Sequence, residues 1–222
     1  MPLTVLTARN RRSCRYRIGQ RGATLIEFSL ALLLGLLPMV LGILQVAALL
    51  VAKNDLNLAT FLAAREGAVA GADPGTMHRA LARALTPLYV RAGRNGVAPA
   101  SDVALAYASA LADVTALDSL SILNPTRGDL DRYGTVRGGQ RVIPNDSIEF
   151  RPRQVQDANV LTIEVIHCQA LVVPLAGRAL LTALQALATD PRQLRCLAAG
   201  RAPIAARASI VMQTDVHAAA LR

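Results

Sequence analysis

From Phe28 to Ala52 the chain runs without a formal charge, and Ser29 and Gln45 are the only polar side chains in the stretch. At about 1.5 Å per residue this is roughly 37 Å of helix, enough to cross a hydrocarbon core of about 30 Å with some tilt. A secretory signal peptide competes for the same residues, but its apolar region is shorter, and here a carboxylate, Glu27, stands at the entrance. Pro38 predicts a kink in the helix, and Ala31 and Gly35 have the small-xxx-small spacing that lets helices approach closely. Helical spacing continues through Leu56, Ala59, Leu62, Ala63 and Arg65 until Gly67, Gly71 and Asp73-Pro74-Gly75 end it.

Thr76 to Arg91 predicts a second helix and Ala100 to Leu117 a third, rich in alanine. Ser119 to Leu123 fits a short strand stopped by Asn124-Pro125, and the glycine-rich run from Arg127 to Arg141 predicts a surface loop. That loop lacks the GK[ST] of a phosphate-binding loop and the spacing of a dinucleotide fingerprint, and its Arg127-Gly128-Asp129 tripeptide is accidental on base rates. Period-two alternation is clearest from Val160 to Val173, with Leu161, Ile163 and Val165 on one face and Thr162 and Glu164 on the other. Past Ile166 the apolar set passes to Cys168, Ala170 and Val172, which predicts a bulge or strong twist. Ile204, Ala206, Ala208, Ile210 and Met212 alternate with Arg207, Ser209 and Gln213 in another strand. Between these strands, Leu175 to Leu187 has leucines at helical spacing, while Pro174 and Arg178 argue against a second membrane span. The class is α+β: a long N-terminal helix over 23–72, then a domain over 73–222 with helices packed on a small antiparallel sheet.

Charge changes the picture once it is localised. Residues 1–22 hold six of the 24 basic groups and none of the 15 acidic ones, so most of the net charge of +9 sits in a basic leader and the rest of the chain is nearly neutral. A basic block against an apolar span sets topology: leader in the cytoplasm, everything past Lys53 outside, with a single span at about 25–52. Nucleic acid is not an expected partner, because no aromatic platform or recognition motif accompanies the charge. Aromatic residues make up 3% and Trp is absent, so Leu, Ala, Val and Ile must fill the core.

That topology sorts the three cysteines. Cys14 falls in the reducing cytoplasm, while Cys168 and Cys196 fall outside, where a disulfide between them would contribute about 3 kcal/mol. Two separately buried thiols are the alternative. A metal site using His167 and Cys168 is disfavoured, since adjacent strand residues point to opposite faces, and His78 and His217 have no ligand spacing around them. All three histidines are expected at the surface or in local structural roles. Neither a metal nor a cofactor is implied, and no nucleophile elbow, HExxH or comparable catalytic set occurs, so an enzyme is not expected.

Gly22-Ala23-Thr24-Leu25-Ile26-Glu27-Phe28, between a basic leader and a long apolar span, resembles the processing site of type IV pilin-like precursors. The stretches RGATLIEFSLALLLGLLPMVL, AAREGA at 63–68 and IAARASIVMQ at 204–213 are similar to the TadE-like pseudopilins of tight-adherence (Flp) pilus systems. Phe28, where major Flp pilins carry Tyr, and the length of the chain both favour the TadE-like group. The resemblance implies cleavage by a prepilin peptidase after Gly22, leaving Ala23 as the new N-terminus. It also implies an inner-membrane protein with a periplasmic domain, whose partners are other pilin-like subunits and pilus assembly proteins. Glu27 would then pair with the Ala23 amine of a neighbouring subunit, serving assembly of the adhesion pilus. A TadF- or TadG-like component of the same system is the near alternative, and a membrane-anchored periplasmic enzyme or ligand-binding domain the distant one.

Overall fold

The computed structural model describes residues 25–90, 98–117, 119–146 and 153–221. The leader over 1–22 with Cys14, the Gly22-Ala23 junction and Arg91 lie outside them. The chain divides into two units at Met39/Val40.

In the first unit, α1 (Leu25–Ala31) passes into a π-helical segment (Leu32–Leu36), where the Leu37 N–H reaches back to the Leu32 carbonyl. Pro38 has no N–H to donate and its ring crowds the preceding turn, so the ladder widens just before it. The helix continues as α2 (Leu37–Val69), past the charges at Lys53, Asp55, Arg65 and Glu66. It ends where Gly71 and Ala72 both take positive φ (65° and 63°), a region that suits the glycine and strains the alanine.

The second unit is an α+β domain that incorporates the later part of α2. Asp73 caps α3 (Pro74–Tyr89) by accepting from the Thr76 N–H at 2.8 Å, with Pro74 at the first helical position. α4 (Ala100–Ala116) packs beside α3. β1 (Leu120–Asn124), β4 (Val160–Gln169) and β5 (Ala202–Val211) form an antiparallel sheet in the order β1-β4-β5. Its register sets Ile163 between Ile122 and Ala208, and Val165 between Leu120 and Ala206. That face meets Leu56 and Ala63 of α2, Met77, Leu81 and Leu85 of α3 and Val114 of α4 in the main core. Each fully buried large side chain there stabilises the fold by about 1.5–3 kcal/mol.

Several expectations are corrected. The run 127–141 is not a loop: it holds α5 (Arg127–Tyr133) and a hairpin of β2 (Thr135–Arg137) and β3 (Gln140–Ile143), which β6 (Val216–His217) extends into a second antiparallel sheet. Thr126 and Asp129 form a reciprocal capping box that starts α5, and Gly138 and Gly139, both at positive φ, make the two-residue turn. The strong strand stops at Gln169, and its pairing with β5 is continuous from Val160↔Val211 to Gln169↔Ala202, with no bulge; the irregularity falls in β1, between Ile122 and Asn124. The apolar residues spread to both faces because both are covered there. Asp190 and Pro191 start α8 (Pro191–Ala198), an element absent from the expected set, and it packs on the sheet's outer face. The remaining helices are α6 (Arg153–Ala158) and α7 (Pro174–Leu187).

Candidate functional site

Three features bear on function: the apolar helix, the junctions that tie α2 into the domain, and two charged clusters beside the sheet. α1 and the π segment contain no buried residue. Glu27 lies in the first turn of α1, where the positive end of the helix favours a carboxylate, and Phe28 beside it is exposed. The structure thus sets both at the head of the apolar helix, while Gly22 and Ala23 lie outside the described residues. Leu25–Val69 is a single candidate membrane helix near the N-terminus, by length and composition.

From Val40 onward α2 acquires a buried stripe of small residues, Ala52, Ala59, Thr60, Ala63, Ala64, Gly67 and Ala68 among them. A β-carbon on Gly67 would come within 2.5 Å of the Met77 sulfur and 3.1 Å of Leu161, so glycine is what allows the helix to lie this close. The AAREGA stretch therefore divides by face, with Ala63, Ala64, Gly67 and Ala68 inward and Arg65 and Glu66 outward. IAARASIVMQ forms most of β5 and its exit, and the two stretches meet. The Gln213 N–H donates to the Ala68 carbonyl at 3.0 Å, and Thr214 bridges the same carbonyl and the Gly71 N–H. Two further ties lie nearer the apolar end: Lys53 Nζ donates to the Ala205 carbonyl, and buried Gln45 accepts from the Val173 N–H at 2.9 Å.

On the outer face of the sheet the Glu164 carboxylate receives Arg207 Nε at 2.7 Å and Arg192 Nη2 at 2.6 Å. Arg192 also holds Asp190 at 3.1 Å and Ser121 Oγ at 2.8 Å. Burial alone would raise the Glu164 carboxyl, but the hydrogen bonds from Arg207 and Arg192 outweigh it and hold it below the usual range. Each carboxylate oxygen is taken by one guanidinium, so the cluster fastens α8 and β5 to β4. The Cys168–Cys196 disulfide, with Cα atoms 5.1 Å apart, secures the same helix, and Ile166 packs against it.

On the inner face, Tyr89 Oη donates to Asp113 at 2.8 Å, and Arg201 reaches the same carboxylate oxygen at 2.7 Å. Burial first, then the Asp113 carboxylate, push the Tyr89 phenol far above its ordinary value. His167 meets Tyr89 edge-on, with ring centroids 6.1 Å apart, and is only 4% exposed. It is a core residue and not a surface one, because two covered faces leave no exposed position in that part of β4. Desolvation lowers it to about 4, so it is neutral at pH 7. The strand period already placed it on the Val165 side. His167 and Cys168 point to opposite faces, and among the described residues no three His, Cys, Asp or Glu side chains converge as metal ligands. Compared with protein-family models, curated proteins and solved structures, the chain matches none.

Proposed function

We propose that this chain is a TadE-like minor pseudopilin, anchored in the inner membrane by one span at about 25–52, that acts in assembly of a tight-adherence pilus and catalyses no reaction itself. The observation that carries the proposal is the Gly22–Glu27 motif at the head of one long apolar helix. The meeting of the 63–68 and 204–213 stretches lends support, since two segments far apart in sequence and both similar to the family serve one junction. The leader lies in the cytoplasm and the disulfide-bearing domain in the periplasm, where such a bond persists.

A prepilin peptidase cuts after Gly22, creating an α-amine on Ala23. Glu27 pairs with that amine on a neighbouring subunit, exchanging two charges that are costly near lipid for one ion pair that sets register. N-terminal sequencing of the membrane-extracted protein tests the cleavage: the mature chain starts at Ala23, and Gly22→Leu retains the leader. A native protein that keeps its leader overturns the proposal. Glu27→Gln keeps the junction and separates the steps, so the variant is processed normally but gives fewer crosslinks to pilin-like subunits and reduced piliation. Wild-type piliation by this variant removes the ion pair from the mechanism.

A further inference from the structure

We propose that the free edge of β1 receives an extended segment of a partner protein as an added strand, and that this segment carries a carboxylate. The β1-β4-β5 sheet has two edges, and they differ. The Ile166 N–H reaches the Ser119 carbonyl at 2.8 Å, so in this register the main-chain groups of Ser119 and Ser121 turn toward β4, while those of Leu120 and Ile122 turn outward. At the other edge, the outward Ala205 carbonyl of β5 takes the Lys53 ammonium. At β1, no hydrogen bond among the described residues uses the outward N–H or C=O of Leu120 or Ile122. Two donors and two acceptors at two-residue spacing are what the backbone of another strand satisfies.

The space beside that edge suits a single strand. A groove of about 650 Å³ is bordered by Leu120, Ser121 and Ile122 in succession. Successive side chains lie on opposite faces of a sheet, so three in a row border one groove only along the strand's edge. Pro74 at the start of α3, Pro125 and Leu221 give the groove apolar walls. A second copy's β1 would bring its own β4 about 4.8 Å behind it, into the space those walls hold, so the occupant is a segment with no sheet at its back. Arg127 supplies the charge. Its Nε donates to the Leu221 carbonyl, and it forms no ion pair among the described residues, so an exposed guanidinium keeps its terminal nitrogens for a carboxylate. Among the described residues no Asp or Glu lines the groove to compete for it.

Neither the membrane anchor nor the pilus role enters this assignment. The probe is a synthetic peptide of alternating threonine and valine with one glutamate near its centre, blocked at both ends and added to the full-length protein in detergent. Binding is read by fluorescence anisotropy of the labelled peptide and by hydrogen exchange of the protein. The peptide should slow exchange at the Leu120 and Ile122 amides about ten-fold. N-methylation of one alternate set of peptide amides, the set facing β1, should weaken binding about ten-fold, and methylation of the other set should leave it unchanged. These peptides leave the protein unaltered, so misfolding does not enter the result. Glutamine in place of the peptide's glutamate should weaken binding to the wild-type protein about three-fold and to Arg127→Gln not at all, with retention of the Cys168–Cys196 disulfide as the check on folding. Equal binding by the parent and both methylated peptides, or no binding at millimolar peptide, overturns the inference. So does slow exchange of the Leu120 and Ile122 amides in the protein alone: if dilution removes it a second copy covers the edge, and if dilution leaves it the chain covers the edge itself.

Discussion

The helix that begins at Leu25 and ends at Val69 is apolar on both sides of Met39/Val40, yet the two parts meet different surroundings. The first exposes Leu25, Ile26, Phe28, Leu33 and Leu34 and buries nothing. The second buries Ala52, Ala59, Ala63, Ala64, Gly67 and Ala68, with Leu56 the one large aliphatic side chain among its buried residues. Both parts expose large apolar side chains, but beyond Glu27 the first carries no charge, whereas the second has Lys53, Asp55, Arg65 and Glu66 and buries a stripe of small residues. A helix that shares a core with α3, α4 and the sheet needs small residues for close approach. The difference explains how the chain builds a domain core with so few aromatics: the backbone comes near enough for Met77 and Leu161 to fill the space that larger side chains would take.

The comparison is broken most severely by releasing the domain from its staple. Reduction of Cys168–Cys196, which closes a loop of 28 residues, should lower domain stability by about 3–4 kcal/mol in urea titrations followed by Tyr fluorescence. The helix signal of the apolar part should survive in the same sample.

Leucine scanning of two glycines attacks the contrast directly. Gly67→Leu drives a side chain into Met77 and Leu161 and should cost about 3 kcal/mol, whereas Gly35→Leu, with no atom within 4 Å of its β-carbon, should change stability by less than about 0.5 kcal/mol. Equal effects in thermal melts of the two variants would remove volume as the deciding property.

Acid sharpens the same distinction. His167 titrates at about 4 in the fold and near 6.5 when unfolded, so at pH 5 only the unfolded chain takes up the proton. The domain should lose about 2–3 kcal/mol as pH falls from 6.5 to 4. Glu164, whose carboxyl is held down by Arg207 and Arg192, withdraws its contribution only at still lower pH, as it falls through the lowered folded value. His167→Phe keeps the ring against Tyr89 and should flatten the slope between pH 6.5 and 4; an unchanged slope would assign it to other groups.

The smallest effect is expected at Lys53, within the second part. Lys53→Met removes one bond to the Ala205 carbonyl and should cost no more than about 1 kcal/mol in the same titrations.

The period of apolar residues by itself determined the long helix, its end near Gly67 to Asp73, the alternation in β4 and β5, and the α+β class, because local burial pattern and capping decide such elements. Thr126-x-x-Asp129 and Gly138-Gly139 also carried α5 and its hairpin in plain view, although the polarity of 127–141 concealed them behind the look of a loop. Only the tertiary structure decided what covers each face. The outer side of β4 turns apolar at Ile166 and Cys168 because α8 arrives there from 28 residues downstream of Cys168, and one-dimensional alternation has no means to register a second cover. His167 is neutral for the same reason, since its surroundings come from α3, α4 and the approach to β5. The bond from Val173 to Gln45, which fastens the start of α7 to an apolar helix more than a hundred residues earlier, is likewise a product of chain packing and is absent from any local pattern.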